Sequence, residues 1–235
     1  MFQEITFFTM EKILNFLNRL QQNNNRPWFE EHKKEYKEAQ EIFNGFVEKL
    51  IAGIASFDPS VNNLTVKDCI YRIYRDVRFS PDKSPYKTHM GAFVSPHGKG
   101  SGLSGYYFHL EAKGAEYIGG HIISTGIYRP EPKVIKSIRE EIMLNGKEFQ
   151  AAIDIASNFR LDRSTALKRV PTGFPSDDEY AEYYKLRDYF LMQFIDDKFV
   201  LGNNLAERTV NEFKKTLVFN DLLNKAAKYA YEGLL

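Results

Sequence analysis

Apolar residues along the chain recur first at helical spacing, then in strand-like runs, then at helical spacing again. Ile13, Leu17 and Leu20 follow Thr9, a suitable N-cap, and the run stops at Asn23-Asn24-Asn25. Pro27 suits a first helical turn. Phe29, Tyr36, Phe43, Leu50 and Ile54 then form one stripe with Lys and Glu between them, which predicts a single amphipathic helix over 27–56. The texture changes between Met90 and Ile123. Glycines 98, 100, 102 and 105 mark a loop, Tyr106 to Glu111 is rich in strand formers, and Lys113-Gly114 is a turn. Glu116-Tyr117-Ile118 and His121-Ile122-Ile123 follow, so the segment predicts an antiparallel meander of three strands.

Helices resume after Pro132, where Val134, Ile135, Ile138 and Ile142 share a face up to a break at Asn145-Gly146. A short helix is expected over 148–157, irregular chain over 160–175 and a helix over 177–185. Tyr189 to Phe194 predicts a further strand that joins the meander. Two closing helices follow from the stripes Ala206, Val210, Phe213, Leu217 and Leu223, Ala227, Ala230, with Asn204 and Asn220 as N-caps. No repeat, low-complexity tract or linker interrupts this order. The expectation is one α+β domain spanning 1–235, an antiparallel sheet of four to five strands packed against several helices.

Composition narrows the classes without naming a function. With 43% hydrophobic and 27% charged residues the 235-residue chain is globular rather than disordered, and a net charge of +1 excludes a polycation acting through its bulk field. Cys69 is the one cysteine, so no intramolecular disulfide forms; within Cys69-Ile70-Tyr71 it reads as a small buried hydrophobe. The start, Met1 to Phe8, lacks a basic segment and carries Glu4, and no apolar run approaches the roughly 18 residues of a membrane span. A cytoplasmic protein with no membrane partner is expected.

The charge is not evenly spread. Residues 72–89 hold five Lys or Arg (Arg72, Arg75, Arg78, Lys83, Lys87) against Asp76 and Asp82, a local net charge of +3. The segment reads two ways: a helix puts Arg72, Arg75, Asp76 and Phe79 on one side, whereas a strand over 69–79 buries Cys69, Tyr71, Ile73, Val77 and Phe79 more cleanly; Pro81 and Pro85 then make 80–86 a rigid loop. Guanidinium forks grip phosphate or carboxylate, so Arg72, Arg75, Arg78, Lys83 and Lys87 are candidate anion ligands. Asp76 and Asp82 would orient them or act as bases, and Tyr86 and His89 would transfer protons. The same residues also suit an ion-pair lattice that merely ties the fold together, and composition leaves both open.

The pattern Arg72-x-x-Arg75-Asp76-x-Arg78-Phe79-x-x-Asp82-Lys83-x-x-Tyr86 resembles the signature of a mainly bacterial family of conserved hypothetical proteins, domain of unknown function 2461. The resemblance extends to Asn24-x-Arg26-x-Trp28-Phe29 and to Arg169-x-Pro171-x-Gly173-Phe174. It implies a polar site rather than a lattice, and carries no established activity, ligand or cofactor. Arg26 and Trp28 at a helix start, and Lys168 with Arg169 in a second basic turn, are secondary candidates to face that site.

Other constellations fail. His32, His89, His97, His109 and His121 show no zinc spacing, although His109 and His121 face each other across the expected hairpin; no metal is expected. No nucleophile elbow, Walker loop or dinucleotide fingerprint is present, and Gly98-Lys99-Gly100-Ser101-Gly102 reads as a mobile hairpin loop. The expected function is therefore binding of a small phosphate- or carboxylate-bearing ligand at Arg72–His89, with catalysis on it as one form. The alternatives are a nucleic-acid or protein-binding module using the same basic patch, or a purely structural motif.

Overall fold

The structure, a computed structural model, describes residues 3–232, with side chains from Met10 onward. Met1 and Phe2, which open the segment read above for a targeting signal, lie outside the described residues. Helix α1 (Gln3–Gln22) already includes Thr9 in its backbone, so that residue is not the N-cap; its side chain lies outside the described set. The expected helix over 27–56 is two: α2 (Arg26–Glu31) and α3 (Lys33–Ala55), separated at His32 by a non-helical ψ of 17°. The stripe survives the break. Phe29, Phe43, Leu50 and Ile54 are all buried with Ile13, Leu17 and Leu20 of α1.

A 3-10 turn (Pro59–Val61) and α4 (Val66–Cys69) lead to the sheet. Its strands are β1 (His89–Val94), β2 (Gly105–Glu111), β3 (His121–Ile127), β4 (Arg160–Leu161) and β5 (Tyr189–Ile195), in spatial order β1-β2-β3-β5-β4, all antiparallel. Residues 116–118, read as strand, are loop instead, because their N–H groups serve a side chain described below. The helical stretch α5 (Pro132–Ile155) is two helices meeting at a kink where Asn145 leaves helical geometry (φ −133°, ψ 35°), the break that the Asn-Gly pair predicts. The helix expected over 177–185 shrinks to α6 (Ala181–Tyr184). Three helices close the chain: α7 (Asp197–Leu201), α8 (Leu205–Lys214) and α9 (Leu217–Glu232). Asn204 is the residue before α8, whereas Asn220 lies inside α9. There its buried carboxamide oxygen accepts from Ser104 Oγ (2.5 Å) and Thr125 Oγ1 (2.9 Å), bolting the helix to β2 and β3.

Register shows why one sheet face is core and the other is not. Phe108 pairs with Ile123, and Met90, Ala92, Tyr106, Leu110 and Leu191 share that face; all are buried under the helices, with Phe46 of α3 4.5 Å from the Phe108 ring. The alternate positions, Phe93, Tyr107, His109, Ile122, Ser124, Phe190, Met192 and Phe194, point the opposite way. Apart from Ile122 none of the apolar ones is buried, and none belongs to the main hydrophobic cluster. The architecture is thus two layers, helices on one face of a five-stranded antiparallel sheet; the second face, called the open face below, is buried at its centre (His109, Ile122, Ser124) and exposed at Phe194. Among the described residues no helix is long and apolar enough to cross a membrane.

Candidate functional site

The basic motif does not form a regular strand. Ile70 bridges to Ala92 and Tyr74 to Tyr86, while Tyr71 N–H donates to Gly91 O (3.1 Å), Lys87 N–H to Ile73 O (2.8 Å) and Arg75 N–H to Pro85 O (3.0 Å). The segment is a narrow ribbon running off the β1 edge, tipped by residues 76–84. Ile73 is buried as expected, but Phe79 is 94% exposed at the tip. Alternation fails there because Pro81 and Pro85 carry no N–H to extend the ladder, and beyond the ribbon no second layer exists to cover a ring.

The tip satisfies most of its own charge. Asp76 accepts from Arg78 Nε (3.0 Å) and Nη2 (2.6 Å), and these bonds lower its pKa. Arg75 donates to the Asp82 carboxylate, to Ser84 O (3.1 Å) and to Ser80 Oγ (3.4 Å). Hydrogen bonds from Ser84, then that from Arg75, hold Asp82 at about 2. Lys83 caps Val77 O at 3.0 Å. Tyr86 is buried, stacked 3.9 Å from Phe29, and its backbone is clasped in both directions by the Asn24 carboxamide (2.9 and 3.1 Å). Arg75, Arg78, Lys83, Asp76, Asp82 and Tyr86 are therefore engaged within the loop or in anchoring it.

Arg72 and Lys87, at the base of the ribbon, differ. Among the described residues neither has a carboxylate within ion-pair distance or a side-chain hydrogen bond. Lys87 lies half-buried with its Nζ 5.6 Å from the Tyr71 ring centroid; burial, then the Arg72 charge, lowers its pKa. Tyr71 in turn sits edge-on to Tyr107 on the open sheet face. The two free cations thus border that face.

Its residues Tyr107, His109 and Glu111 follow at every second position of β2 and touch in series. The Tyr107 hydroxyl lies 2.9 Å from His109 Nδ1, and His109 Nε2 lies 3.3 Å from Glu111 Oε2. Since the carboxylate only accepts, His109 donates to it from Nε2–H, and Nδ1 faces the Tyr107 hydroxyl. Gly91 makes this possible, because a Cβ there would come within 2.7 Å of the Tyr107 hydroxyl. Glu111 itself is buried in a nest of backbone donors: Tyr117 N–H (2.8 Å), Ile118 N–H (3.1 Å), Gly119 N–H (3.1 Å) and Gly120 N–H (3.3 Å). Gly119 supplies the positive φ of 90° that turns those groups inward. Burial opposes the charge, but the His109 bond and the N–H groups of 117 and 118 outweigh it and hold the carboxyl down at about 2.

The same loop lays Tyr117 over His89, with ring centroids 4.3 Å apart and 19° between planes. Burial, then His109 and Lys87, push the His89 pKa down to about 3, so its imidazole is neutral. His89 Nδ1 and Asn44 Oδ1 are buried without a protein partner and border one cavity of about 10 Å³, the size of a single water.

The remaining candidates lie elsewhere. Asn25 caps α2 by accepting from Trp28 N–H, and Trp28 stacks on His32 at 4.1 Å, so Arg26 and Trp28 belong to a capped helix start. Lys168 and Arg169 are exposed after β4, at the sheet edge opposite the motif. Cys69 is buried, and burial raises its thiol to about 11. The glycine loop is anchored rather than loose, with Lys99 Nζ on Lys67 O and Ser95 Oγ on Gly98 O. His121 does approach the network: its Nδ1 accepts from Glu111 N–H (3.0 Å), which leaves Nε2–H for Asp197 (3.1 Å). It faces a cleft of about 490 Å³ at the sheet end, but both ring nitrogens are committed and neither is free as a base. Among the described residues no three His, Cys, Asp or Glu side chains are grouped to hold a metal. The Tyr107-x-His109-x-Glu111 alternation, followed by Gly119-Gly120, is the sequence signal for this network; holding no Lys or Arg, it does not stand out by charge.

No curated protein and no solved structure matches the chain. A family model described as "Conserved hypothetical protein (DUF2461)" matches residues 12–222, and the chain belongs to that family.

Proposed function

We propose that the protein binds an anionic ligand, through phosphate or carboxylate, at Arg72 and Lys87 on the rim of the open sheet face. The observation that carries this reading is the contrast within the motif: Arg75 and Arg78 are bound to Asp82 and Asp76 and Lys83 to a carbonyl, whereas Arg72 and Lys87 form no ion pair among the described residues. Lys87 is also partly desolvated, and a charge-assisted bond is worth more where water is partly excluded. Neutral His89 lies near Lys87, whose charge helps lower its pKa, while the Tyr107 hydroxyl is committed to His109. Inorganic phosphate, pyrophosphate and a panel of phosphorylated metabolites should raise the Tm of the wild-type protein. Lys87→Ala and Arg72→Ala should each abolish most of that rise while leaving the ligand-free Tm nearly unchanged. No ligand-induced shift in the wild type, or full shifts in both variants, removes the proposal.

A further inference from the structure

The face beside the two cations bears on what kind of anion they serve. Tyr71 is 41% exposed beside Lys87, and Tyr117 is 67% exposed, with its inner side propped on His89. Two strands across, Phe194 is 59% exposed at the position paired with Ile122. Further along, Tyr128 is 62% exposed and sits edge-on to Phe190. Unpartnered rings on a sheet face are a costly surface to show to water unless something covers them.

Charge says what covers them. The far side of the strip carries Arg129, whose guanidinium lies 5.0 Å from the Tyr128 ring centroid, and Arg160, which pairs with Met192 and so projects from the same open face. Like Arg72 and Lys87, neither has a carboxylate within ion-pair distance among the described residues. Of the acids on the face, Glu111 lies in its nest, Asp188 is bound by Arg129 N–H and the Thr165 hydroxyl, and Asp162, two positions after Arg160, is bound by Ser164 N–H and Oγ. A strip of exposed rings between two rims whose cations hold no ion pair among the described residues fits an alternating chain of phosphates and planar bases. Strand spacing of about 4.8 Å places β1 and β5 about 14 Å apart, a span of several nucleotides rather than one. Open sheets that display aromatic rings stack bases in this way.

We infer that the open sheet face binds single-stranded nucleic acid, phosphates on Arg72 and Lys87 at one rim and on Arg129 and Arg160 at the other, with bases on Tyr71, Tyr117 and Phe194. This rests on the anion reading above and adds the ring-bearing, polymeric nature of the ligand. The test is fluorescence anisotropy with a labelled oligothymidylate of about ten nucleotides, against thymidine monophosphate and inorganic phosphate as competitors. The oligomer should bind far more tightly than the mononucleotide, with an affinity that falls steeply with salt. Tyr117→Leu and Phe194→Leu keep apolar bulk but remove a stacking ring; each should weaken the oligomer roughly five- to hundredfold, with phosphate-induced stabilisation and Tm retained. Arg160→Ala should weaken the oligomer and leave inorganic phosphate untouched. An oligomer no tighter than the mononucleotide overturns this inference and leaves the anion reading standing. Absence of binding by every phosphate compound overturns both. Self-association that Phe194→Ser abolishes, without oligonucleotide affinity, assigns the face to a second copy of the chain and equally overturns it.

Discussion

The ribbon tip and the Glu111 nest both hold carboxylates near a pKa of about 2, by opposite means. Asp82 is 60% exposed and held by Ser84 and Arg75 within one loop, so water would solvate it nearly as well. Glu111 is buried and held by four consecutive N–H groups and His109, with no Lys or Arg involved. Removing either partner of an exposed pair returns a charge to solvent, whereas removing the buried carboxylate strands several donors at once. The lesson is that charge density along a sequence marks where ions are many, and burial decides where an ion matters to the fold.

Glu111→Ala has the largest expected effect. It leaves the 117–120 amides and His109 without their acceptor and should destabilise by on the order of 3–5 kcal/mol in denaturant titration, with faster hydrogen exchange over 117–120. A loss no greater than that of a surface substitution would put the nest on a par with the tip. Acidification should expose the same region. The folded Glu111 pKa of about 2 lies below its ordinary 4.5, so its contribution is complete above 4.5 and is lost as pH falls toward 2. The folded His89 pKa of about 3 lies below 6.5, so the unfolded chain takes up a proton first and stability begins to fall below pH 6.5. His89→Gln should therefore reduce the stability lost on acidification by on the order of 3 kcal/mol near pH 4, the loss due to His121, whose pKa burial also lowers, remaining. Thermal melts across pH 3–7 for both proteins check this.

Smaller effects separate the two ends of the ribbon. Arg75 is three-quarters buried and bonded to Asp82, Ser80 and Ser84, so Arg75→Ala should cost about 1–2 kcal/mol in stability. Arg78 is 76% exposed on Asp76, and Arg78→Ala should leave the Tm unchanged. Phe79→Ser, at the exposed tip, should leave the Tm unchanged as well; a measurable drop would mean that the tip packs against something after all.

Much of the fold was legible because it rests on local periodicity. The stripe on α3 and the strand formers at Tyr106 to Glu111 place helices and sheet correctly, and Tyr189 to Phe194 joins the meander as β5. The motif was only half legible. Its charges and prolines predict a stiff loop, yet Arg72 and Arg75 look alike in sequence, and only one of them finds an Asp. That choice depends on ribbon geometry set by Pro85 and by the Asn24 clasp on Tyr86.

By itself the sequence determined the class, the family and the location of a dense cluster of cations, since these follow from spacing and composition over short stretches. Tertiary structure alone decided three things: which cations stay unpaired, that one sheet face stays open, and that His109, His121 and the 117–120 amides converge on Glu111. Each is a long-range outcome. Pairing depends on where a side chain ends, openness on which helices fail to reach a face, and the nest on a loop whose amides turn inward only when the carboxylate is already in place to receive them.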